Sequence, residues 1–456
     1  MKILNKIVCI IAFMSIAYYI IRLGYYGDGI TVGLSADSAY YLSEAKALMN
    51  GHGLNYMYMH HGNGVFTAWP IGYPISIGLI AKIISINVII ASKIVNIISI
   101  AVIIIALYKR NKTVGILSLF NYGFLECSKY TWSETAFFGI LLLFCFKLNN
   151  IIKDDVKKSE YIELFIYGIS AFLFRYIGIV CIIFEIMALG IKKFKNKALI
   201  KVIIADTTCC LSYLLIFRQK RYIVFNEKYK DLALNLLDAL SKEYINIIGL
   251  ILAIIIIIYL LKKYKINANN LFIMYGLIYY GVIILYRFTH TFDKFNYRLL
   301  MPGTTLILIG VLSYINKLKA LIIILAIYNL VICFNCNKVT EINIDKYRNK
   351  NISLFLDLNS YETIMAFIEI ENPVYRYSSY INDSQTVSSF REFNEILNNN
   401  KIELYAPLTD IKKYKYTGND TLGDNSSNDI EYNKIKNYFV NIESDEEFVR
   451  LRKANE

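Results

Sequence analysis

The chain has 456 residues, of which 56% are hydrophobic and 19% are charged, and its formal net charge is +13. Apolar runs recur along about three quarters of its length, which excludes a soluble globular protein and predicts a polytopic membrane protein. The basic surplus suits anionic lipid headgroups, and we expect no nucleic-acid partner because the lysines concentrate in short loops between apolar runs.

The first apolar segment covers residues 3–23 and follows Lys2 and Lys6. This arrangement is similar to a secretory signal, but no small-residue cleavage site of the Ala-x-Ala kind follows it. We therefore predict an uncleaved first span with its N-terminus in the cytoplasm.

The segment after the first span, residues 24–85, is predicted to be an outer loop with a helix along the membrane surface. In "SADSAYYLSEAKALMNGHGL", apolar residues recur at helical spacing, with Ser35 as N-cap and Gly51 as the stop. Asp37 falls in the first turn, where the helix dipole favours a carboxylate. From these residues alone, Asp37 is either a helix cap or a functional acid.

The end of this loop, "WPIGYPISIGLIAKIIS" from Trp69 to Ser85, is apolar but is predicted not to cross the membrane. If it crossed, Lys109 and Arg110 would fall outside, against the positive-inside rule. Its two prolines, Pro70 and Pro74, are typical of a short, irregular juxtamembrane helix.

The short basic loops set the remaining topology. Eleven spans are predicted, near 3–23, 87–108, 113–127, 132–149, 161–175, 176–191, 198–217, 244–262, 269–287, 299–315 and 318–335. The lysine clusters expected in the cytoplasm are Lys109–Lys112, Lys153–Lys158, Lys192–Lys197, Lys262–Lys265 and Lys317–Lys319. Two spans over 161–191 are preferred to one long helix, because one helix would place all later lysine loops outside.

The region from 336 to 456 follows the last span and is polar. Segments such as "NKIELYAPL" alternate like strands, and "SSFREFNEILNNN" has helical periodicity. We predict two domains: a transmembrane domain over 1–335 and a small extracytoplasmic α/β domain over 336–456.

This topology brings several polar residues to the outer face: Glu134 at the start of a helix, Arg175 between two spans, Arg298, and in the late loop His290 and Asp293. Each has two interpretations. Glu134 is either a first-turn acid stabilised by the helix dipole or a functional acid. Arg298 either anchors a helix end at the headgroups or binds phosphate. For Arg175, which lies in an apolar stretch, a functional role is favoured.

Metal binding has little support in the sequence. Cys333 and Cys336 form a lone C-x-x-C without a second pair, and packing cysteines are the preferred interpretation. The four histidines, all predicted outside, match no recognised ligand spacing. No cofactor is firmly implied, and a divalent cation stays an open alternative.

Several motifs, in this order, resemble the GT-C fold glycosyltransferases, which include relatives of protein mannosyltransferases and the aminoarabinose transferase of lipid A modification. The motifs are the acid and "YYLSEAKALMNGHGL" of the first loop, then "WPIGYP", "WSETAFFGILLLF", "FLFRYIGIV" and "NYRLLMPG". The resemblance extends through most of residues 1–335. It departs from the protein mannosyltransferase pattern in one place, because Ser38 follows Asp37 where an acidic pair is expected.

The resemblance implies an enzyme that takes a sugar from a polyprenyl-phosphate donor at the outer face. The acceptor would be a cell-envelope glycan, lipid or protein. It also implies that Asp37, the matching acid of the first outer loop, is the catalytic base. Arg175 and Arg298 are then expected to hold the leaving phosphate, with Glu134, His290 and Asp293 as further substrate-binding residues.

Three other functional classes stay open. An O-antigen polymerase or ligase would depend on outer-loop arginine and histidine, and Asp37 would be dispensable. A transporter or flippase would need a relay of charged residues in the middle of its spans and an inverted repeat with paired broken helices, and neither is expected here. A purely structural membrane protein would leave the polar residues of the outer face without a role.

Overall fold

The computed structural model describes residues 2–24, 36–49, 51, 55–56, 64–65, 69–153, 156–216, 251, 255, 259, 268–289, 297–314, 319–336, 353–355, 403–407, 439–444 and 448–453. Most of these residues are helical. The helices are α1 Lys2–Tyr19, α2 Ala36–Met49, α3 Gly72–Ile84, α4 Val88–Leu117, α5 Tyr122–Lys129, α6 Glu134–Lys153, α7 Lys158–Phe174, α8 Val180–Ile191, α9 Lys197–Ile216, α10 Ala268–Thr289, α11 Tyr297–Tyr314 and α12 Lys319–Cys336.

Four helical segments in the described part of the chain are long and apolar enough to cross a membrane: Lys6–Gly24, Val88–Arg110, Glu134–Lys153 and Lys197–Ile216. Shorter apolar helical segments cover Gly72–Ile84, Tyr176–Ile191, Asn269–Leu285 and Tyr297–Ser313. A helical polytopic architecture is therefore confirmed. The number of eleven spans stays a prediction, and the predicted span 244–262 falls almost wholly outside the described residues.

One predicted span is not a continuous helix. The interval 113–127 consists of the end of α4, a 3₁₀ turn over Ser118–Phe120, and most of the eight-residue α5. Helix α4 continues past Lys109 because lysine and arginine are good helix formers and do not break a helix. The Asn121 side chain then accepts a hydrogen bond from the Phe124 N–H, so it caps a separate helix.

The predicted division of 161–191 into two helices is confirmed. Helix α7 ends at Phe174, and Arg175 has an extended backbone with φ −153° and ψ 136°. A 3₁₀ turn over Tyr176–Ile179 leads into α8. Since an extended residue cannot continue a helix, Arg175 lies at a true break between α7 and α8.

Helix α3 lies within the segment predicted not to cross the membrane. Its 13 residues span about 20 Å, which is shorter than the roughly 30 Å hydrocarbon core of a bilayer. It packs closely on α2, because a Cβ at Gly78 would lie 2.8 Å from the Ala45 carbonyl oxygen. Helix α2 stops where predicted: Gly51 has φ +80° and donates its N–H to the Leu48 carbonyl.

The chain forms two compact units. The first comprises Met1–Ile21, Thr67–Tyr73 and Ile94–Lys338, and the second comprises Arg22–Phe66, Pro74–Lys93 and Val339–Glu456. The second unit includes a four-stranded sheet in the order β3 Ser353–Phe355, β4 Glu403–Pro407, β6 Phe448–Lys453 and β5 Phe439–Ser444. Strands β3 and β4 are parallel, and the other two pairings are antiparallel. Two short strands of the first loop, β1 Asn55–Tyr56 and β2 Gly64–Val65, pair antiparallel.

Within the first unit, side-chain contacts show how α4, α6 and α7 run relative to one another. The Asn96 side chain of α4 bonds the Tyr130 carbonyl just before α6, and Arg110 lies over the Phe146 ring. Helices α4 and α6 therefore run parallel. Lys147 of α6 contacts Glu160 at the start of α7, so α6 and α7 are antiparallel.

Helices α10 and α11 of the first unit are also antiparallel to each other. Gly276 of α10 packs on Ile307 of α11, and Gly310 packs on Ile273. A Cβ at Gly276 or Gly310 would lie 2.6 Å from a partner side chain, so the two helices approach closely at these glycines.

Candidate active site

Glu134 is the centre of a buried charge cluster at one end of the first unit. It begins α6, and its side chain is 1% exposed. The Arg175 Nη1 lies 2.6 Å from Glu134 Oε1, and the Arg298 Nε donates a hydrogen bond to the same oxygen. One carboxylate oxygen thus holds two guanidinium groups together, although the three residues are distant in the sequence.

Arg175 is positioned by the break between α7 and α8. Its backbone N–H donates to the Ala171 carbonyl, and its Nη1 also lies 3.2 Å from Ser133 Oγ. The turn that follows is packed against α7 at Gly178, where a Cβ would lie 2.4 Å from the Phe172 nitrogen. Because only glycine fits there, the "FRYIG" turn has little freedom, and the guanidinium is directed at Glu134.

Arg298 is held by an aromatic stack. Its guanidinium carbon lies 4.0 Å from the centre of the Trp132 ring. The Trp132 ring stacks on Tyr130 at 4.4 Å with an angle of 28° between the planes, and Lys129 Nζ lies 4.6 Å from the Tyr130 ring. Such cation–π contacts contribute about 0.5–2 kcal/mol each, and here they orient the plane of the Arg298 guanidinium.

The loop that carries this stack is tied to neighbouring helices by buried polar contacts. Lys129 forms an ion pair with Glu126 at 2.9 Å, and Tyr19 of α1 donates its hydroxyl hydrogen to Glu126 at 2.6 Å. The Asn96 amide donates to the carbonyls of Ser128 and Tyr130, and it accepts a hydrogen bond from the Tyr73 hydroxyl. A buried polar network of this kind gives a rigid frame when its members are satisfied.

The electrostatics of the cluster favour an anion. Glu134, Arg175 and Arg298 together carry a net charge of +1, since two guanidiniums face one carboxylate. Glu134 Oε2 is buried and accepts no hydrogen bond from the described residues. A phosphate that entered this cluster would bring the charge that balances the second guanidinium, and the guanidinium fork matches phosphate oxygens.

The structure gives no set of metal ligands in the part of the chain that it describes: no group of three or more His, Cys, Asp or Glu side chains comes together there. All four histidines, including His290, lie outside the described residues, and so does Asp293. Their predicted roles stay predictions.

Asp37 lies in the first turn of α2, as predicted, and its side chain is half-buried. It belongs to the second unit, whereas Glu134, Arg175 and Arg298 belong to the first. Ser35, its predicted N-cap neighbour, is outside the described residues. Within the first unit, the structure therefore brings together three of the six predicted site residues.

Trp132, Tyr130 and Lys129 were not among the predicted site residues. The motif "WSETAFFGILLLF" begins at Trp132, two residues before Glu134. An aromatic residue so close to a functional acid is a usable signal, but the partner that it supports, Arg298, is more than 160 residues away in the chain.

A second buried feature is a pair of acids in two apolar helices, where no relay of charged residues was expected. Glu185 of α8 and Asp206 of α9 are 0% and 1% exposed, and their carboxyl groups face each other. Apart from each other, the two carboxyl groups have no hydrogen-bond partner among the described residues. A Cβ at Gly168 of α7 would lie 2.6 Å from Asp206 Oδ2, so three helices meet at this pair.

The fold is similar to that of two solved structures. No protein-family model matches the sequence, and no curated protein is significantly similar to it. The crystal structure of ArnT from Cupriavidus metallidurans bound to undecaprenyl phosphate has a TM-score of 0.55 with this chain, at 9% sequence identity. The match covers 99% of this chain and 97% of that chain.

A second crystal structure, of the same ArnT in the apo state, has a TM-score of 0.54 at 10% identity, with the same coverage of both chains. The similarity extends over nearly the whole length of both chains. The predicted resemblance to GT-C proteins of the aminoarabinose transferase kind is thus confirmed for the fold.

Proposed function

We propose that this chain is an integral membrane glycosyltransferase that moves a sugar from a polyprenyl-phosphate donor to an acceptor of the cell envelope. The observation that carries the proposal is the buried cluster of Arg175, Arg298 and Glu134. The structural similarity to ArnT bound to undecaprenyl phosphate supports the class of donor.

The cluster suits the leaving group of such a reaction. As the acceptor oxygen or nitrogen attacks the anomeric carbon, the bond from that carbon to the phosphate oxygen breaks, and the electron pair stays on the phosphate. The lipid phosphate gains negative charge during this step. Arg175 and Arg298 stabilise that charge by bidentate hydrogen bonds, so a strong general acid is not required.

The acceptor loses a proton in the same reaction, and the proposed base is Asp37. The resemblance of the first loop to GT-C enzymes supports this role, as does the position of Asp37 in the first turn of α2. A general base must lie within hydrogen-bond reach of the attacking hydroxyl or amine, and the Asp37 side chain supplies a carboxylate for that role. The acceptor itself is proposed only as a class: a glycan, lipid or protein.

The distribution of charge in the first unit supports an extracytoplasmic site. The end opposite the cluster has Lys109 and Arg110 of α4, Lys147 and Lys153 in the C-terminal half of α6, and the lysines between α8 and α9. Contacts among these helix ends, such as the bond from the Asn196 amide to the Tyr161 hydroxyl, place them together. By the positive-inside rule this basic end faces the cytoplasm, and the cluster faces outside.

In this proposal the N-terminus is cytoplasmic and the region 336–456 is an extracytoplasmic domain. We expect this domain to be α/β, and strand β4, which lies within the predicted "NKIELYAPL" segment, supports part of that expectation.

A second candidate function, a transporter or flippase, is favoured by one observation. Glu185 and Asp206 are acids buried in apolar helices, which often mark ion or proton pathways. A transporter would move its lipid-linked substrate without cleaving it.

One product distinguishes a glycosyltransferase from a transporter: free undecaprenyl phosphate, which only the enzyme releases. The purified chain is reconstituted in liposomes with undecaprenyl-phosphate-linked hexoses or pentoses and with envelope extract as acceptor, and free undecaprenyl phosphate is measured by mass spectrometry. The proposed enzyme releases undecaprenyl phosphate from at least one donor and forms a glycosylated product. Movement of the intact donor across the bilayer with no release would favour the transporter.

A further inference from the structure

The connection between α8 and α9 presents one aromatic side chain among lysines. Phe194 is 67% exposed, and it lies in the sequence "IKKFKNK" with lysines at 192, 193, 195 and 197. No acidic residue occurs between Glu185 and Asp206. The connection therefore combines a bulky apolar side chain with a local charge of +4.

This connection is a fixed turn. Helix α8 ends in a Schellman-type arrangement, in which the Phe194 N–H donates to the Leu189 carbonyl and the Lys193 N–H donates to the Gly190 carbonyl. On the other side, the Asn196 side chain caps α9 by accepting from the Leu199 N–H, and its amide donates to Tyr161 of α7. Hydrogen bonds thus hold the backbone on both sides of Phe194.

The turn is unusual in two respects. Lys193 and Phe194 have φ angles of 53° and 58°, in the left-handed region where glycine is preferred and other residues cost about 1–2 kcal/mol each. In a Schellman turn, the residue in the position of Phe194 commonly packs back on its own helix. Here it remains exposed, so neither stability of the turn nor packing explains why these residues occupy it.

The physical chemistry of a membrane surface explains why lysine and phenylalanine occupy this strained turn and why Phe194 is exposed. Phenylalanine is one of the apolar side chains that interfacial segments bury at the boundary between acyl chains and headgroups, and lysines near an anionic membrane surface are attracted to its phosphates. We propose that the 192–197 turn is a lipid anchor: Phe194 inserts at the edge of the leaflet on the basic end, and Lys193, Lys195 and Lys197 bind anionic phospholipid headgroups. This inference does not depend on the proposed glycosyl transfer.

The position of Phe194 can be measured by fluorescence in nanodiscs. Phe194→Trp is compared with Ile204→Trp, which replaces a 59% exposed residue further along α9, and the emission of the two native tryptophans is subtracted. Lipids brominated near the headgroup end of the acyl chain should quench the Phe194→Trp variant most. Lipids brominated near the methyl end should quench the Ile204→Trp variant most. Water-like, unquenched emission from the first variant beside normal quenching of the second would overturn the anchor.

The role of the lysines is tested by thermal unfolding of the whole chain in nanodiscs with and without phosphatidylglycerol. The wild type should gain stability from the anionic lipid, and Lys193→Gln with Lys195→Gln should remove most of that gain, since each lysine contributes roughly a fivefold preference. Lys82→Gln, an exposed lysine of α3, serves as the control and should keep the gain.

Two other outcomes bear on the same proposal. Lys193→Gly should unfold at a higher temperature in detergent, because glycine relieves the left-handed strain, and yet it should prefer anionic lipid less than the wild type. If the double glutamine variant gained as much from phosphatidylglycerol as the wild type, the headgroup contact would be wrong. Equal stabilisation by inorganic phosphate without anionic lipid would also contradict a lipid site.

Discussion

The guanidinium carbon of Arg298 lies 4.0 Å from the centre of the Trp132 ring, while Glu134, two residues after Trp132, accepts a hydrogen bond from the Nε of the same guanidinium. One short turn therefore supplies both the carboxylate that pairs with Arg298 and the ring that supports its face. The aromatic ring cannot contact a substrate through the face that Arg298 covers, so its role is to position the arginine.

The first prediction concerns this positioning. Trp132→Leu removes the cation–π contact but keeps an apolar side chain, so Arg298 should be less well oriented toward a phosphate. We expect the KM for the lipid-linked donor to rise about 2–30-fold, as about 0.5–2 kcal/mol implies, with little change in kcat. Trp132→Phe should recover part of the loss, which a purely space-filling role would not require.

A matched control is Phe146→Leu on α6, the helix that follows Trp132. Phe146 is also buried and aromatic, but it packs on Phe272 and contacts Arg110 at the basic end of the unit. Phe146→Leu should lower the unfolding temperature about as much as Trp132→Leu does, and it should leave the donor KM unchanged. Equal effects of the two substitutions on the donor KM would contradict a specific role for Trp132.

The second prediction concerns Glu134. Glu134→Gln keeps the shape of the side chain but leaves two guanidiniums without their shared carboxylate, and breaking a buried ion pair typically costs about 3–5 kcal/mol. The variant should unfold at a lower temperature than the wild type. Added undecaprenyl phosphate should raise its unfolding temperature by more than it raises that of the wild type, because the lipid phosphate supplies the missing negative charge.

The informative comparison is the difference between the two lipid-induced shifts, measured in the same detergent with neutral undecaprenol as control. Equal shifts for the variant and the wild type would mean that the phosphate does not enter the cluster.

The third prediction concerns the turn that carries Arg175. Gly178→Ala places a Cβ within 2.4 Å of the α7 backbone, so the turn must move away from α7. We expect a clearly lower unfolding temperature, as overpacking by one methyl group typically costs about 1–3 kcal/mol, and weaker donor binding because Arg175 shifts with the turn. Gly190→Ala is the control, since no atom lies within 4 Å of a Cβ built there. It should be neutral or stabilising, because alanine favours a helix.

How much of the fold could be predicted from the sequence depends on the kind of interaction that determines each feature. The break at Arg175 and the stop at Gly51 were predictable without tertiary packing. The first follows from counting the basic loops along the chain, and the second follows from the preference of glycine for a left-handed backbone at a helix end. The 113–127 interval was misjudged because the basic residues were assumed to end a helix, whereas only the Asn121 cap begins the next one. Apolar periodicity does not show that kind of interruption.

The sequence identified three of the residues of the site, but it did not show how their side chains are arranged. Glu134, Arg175 and Arg298 each had a local reason to be noticed, but a shared oxygen between two arginines is a property of tertiary packing. The pair of Glu185 and Asp206 was missed for the same reason: each is a single acid in an apolar run, and only the packing of α8 on α9 brings them together.

The fourth prediction concerns Asp37 and separates base catalysis from helix capping. Asp37→Asn has nearly the same shape, and asparagine caps a helix about as well as aspartate, so the unfolding temperature should hardly change. Sugar transfer should fall by about 10²–10⁴-fold if Asp37 accepts the acceptor's proton. Near-normal transfer by this variant would remove Asp37 from the mechanism and would favour the alternative that depends on outer-loop arginine and histidine.

The central claim is that Arg175 and Arg298 hold the phosphate of a polyprenyl carrier. It is tested most directly by the affinities of the purified chain in nanodiscs for undecaprenyl phosphate and for undecaprenol, for the wild type and for Arg175→Ala with Arg298→Ala. The two lipids differ only in the phosphate, so their affinity ratio reports the phosphate contact. The account predicts that the double variant binds undecaprenol like the wild type and loses at least about tenfold of the preference for the phosphate, since hydrogen bonds to charged groups contribute about 1.5–3 kcal/mol each. An unchanged preference in the double variant would contradict it.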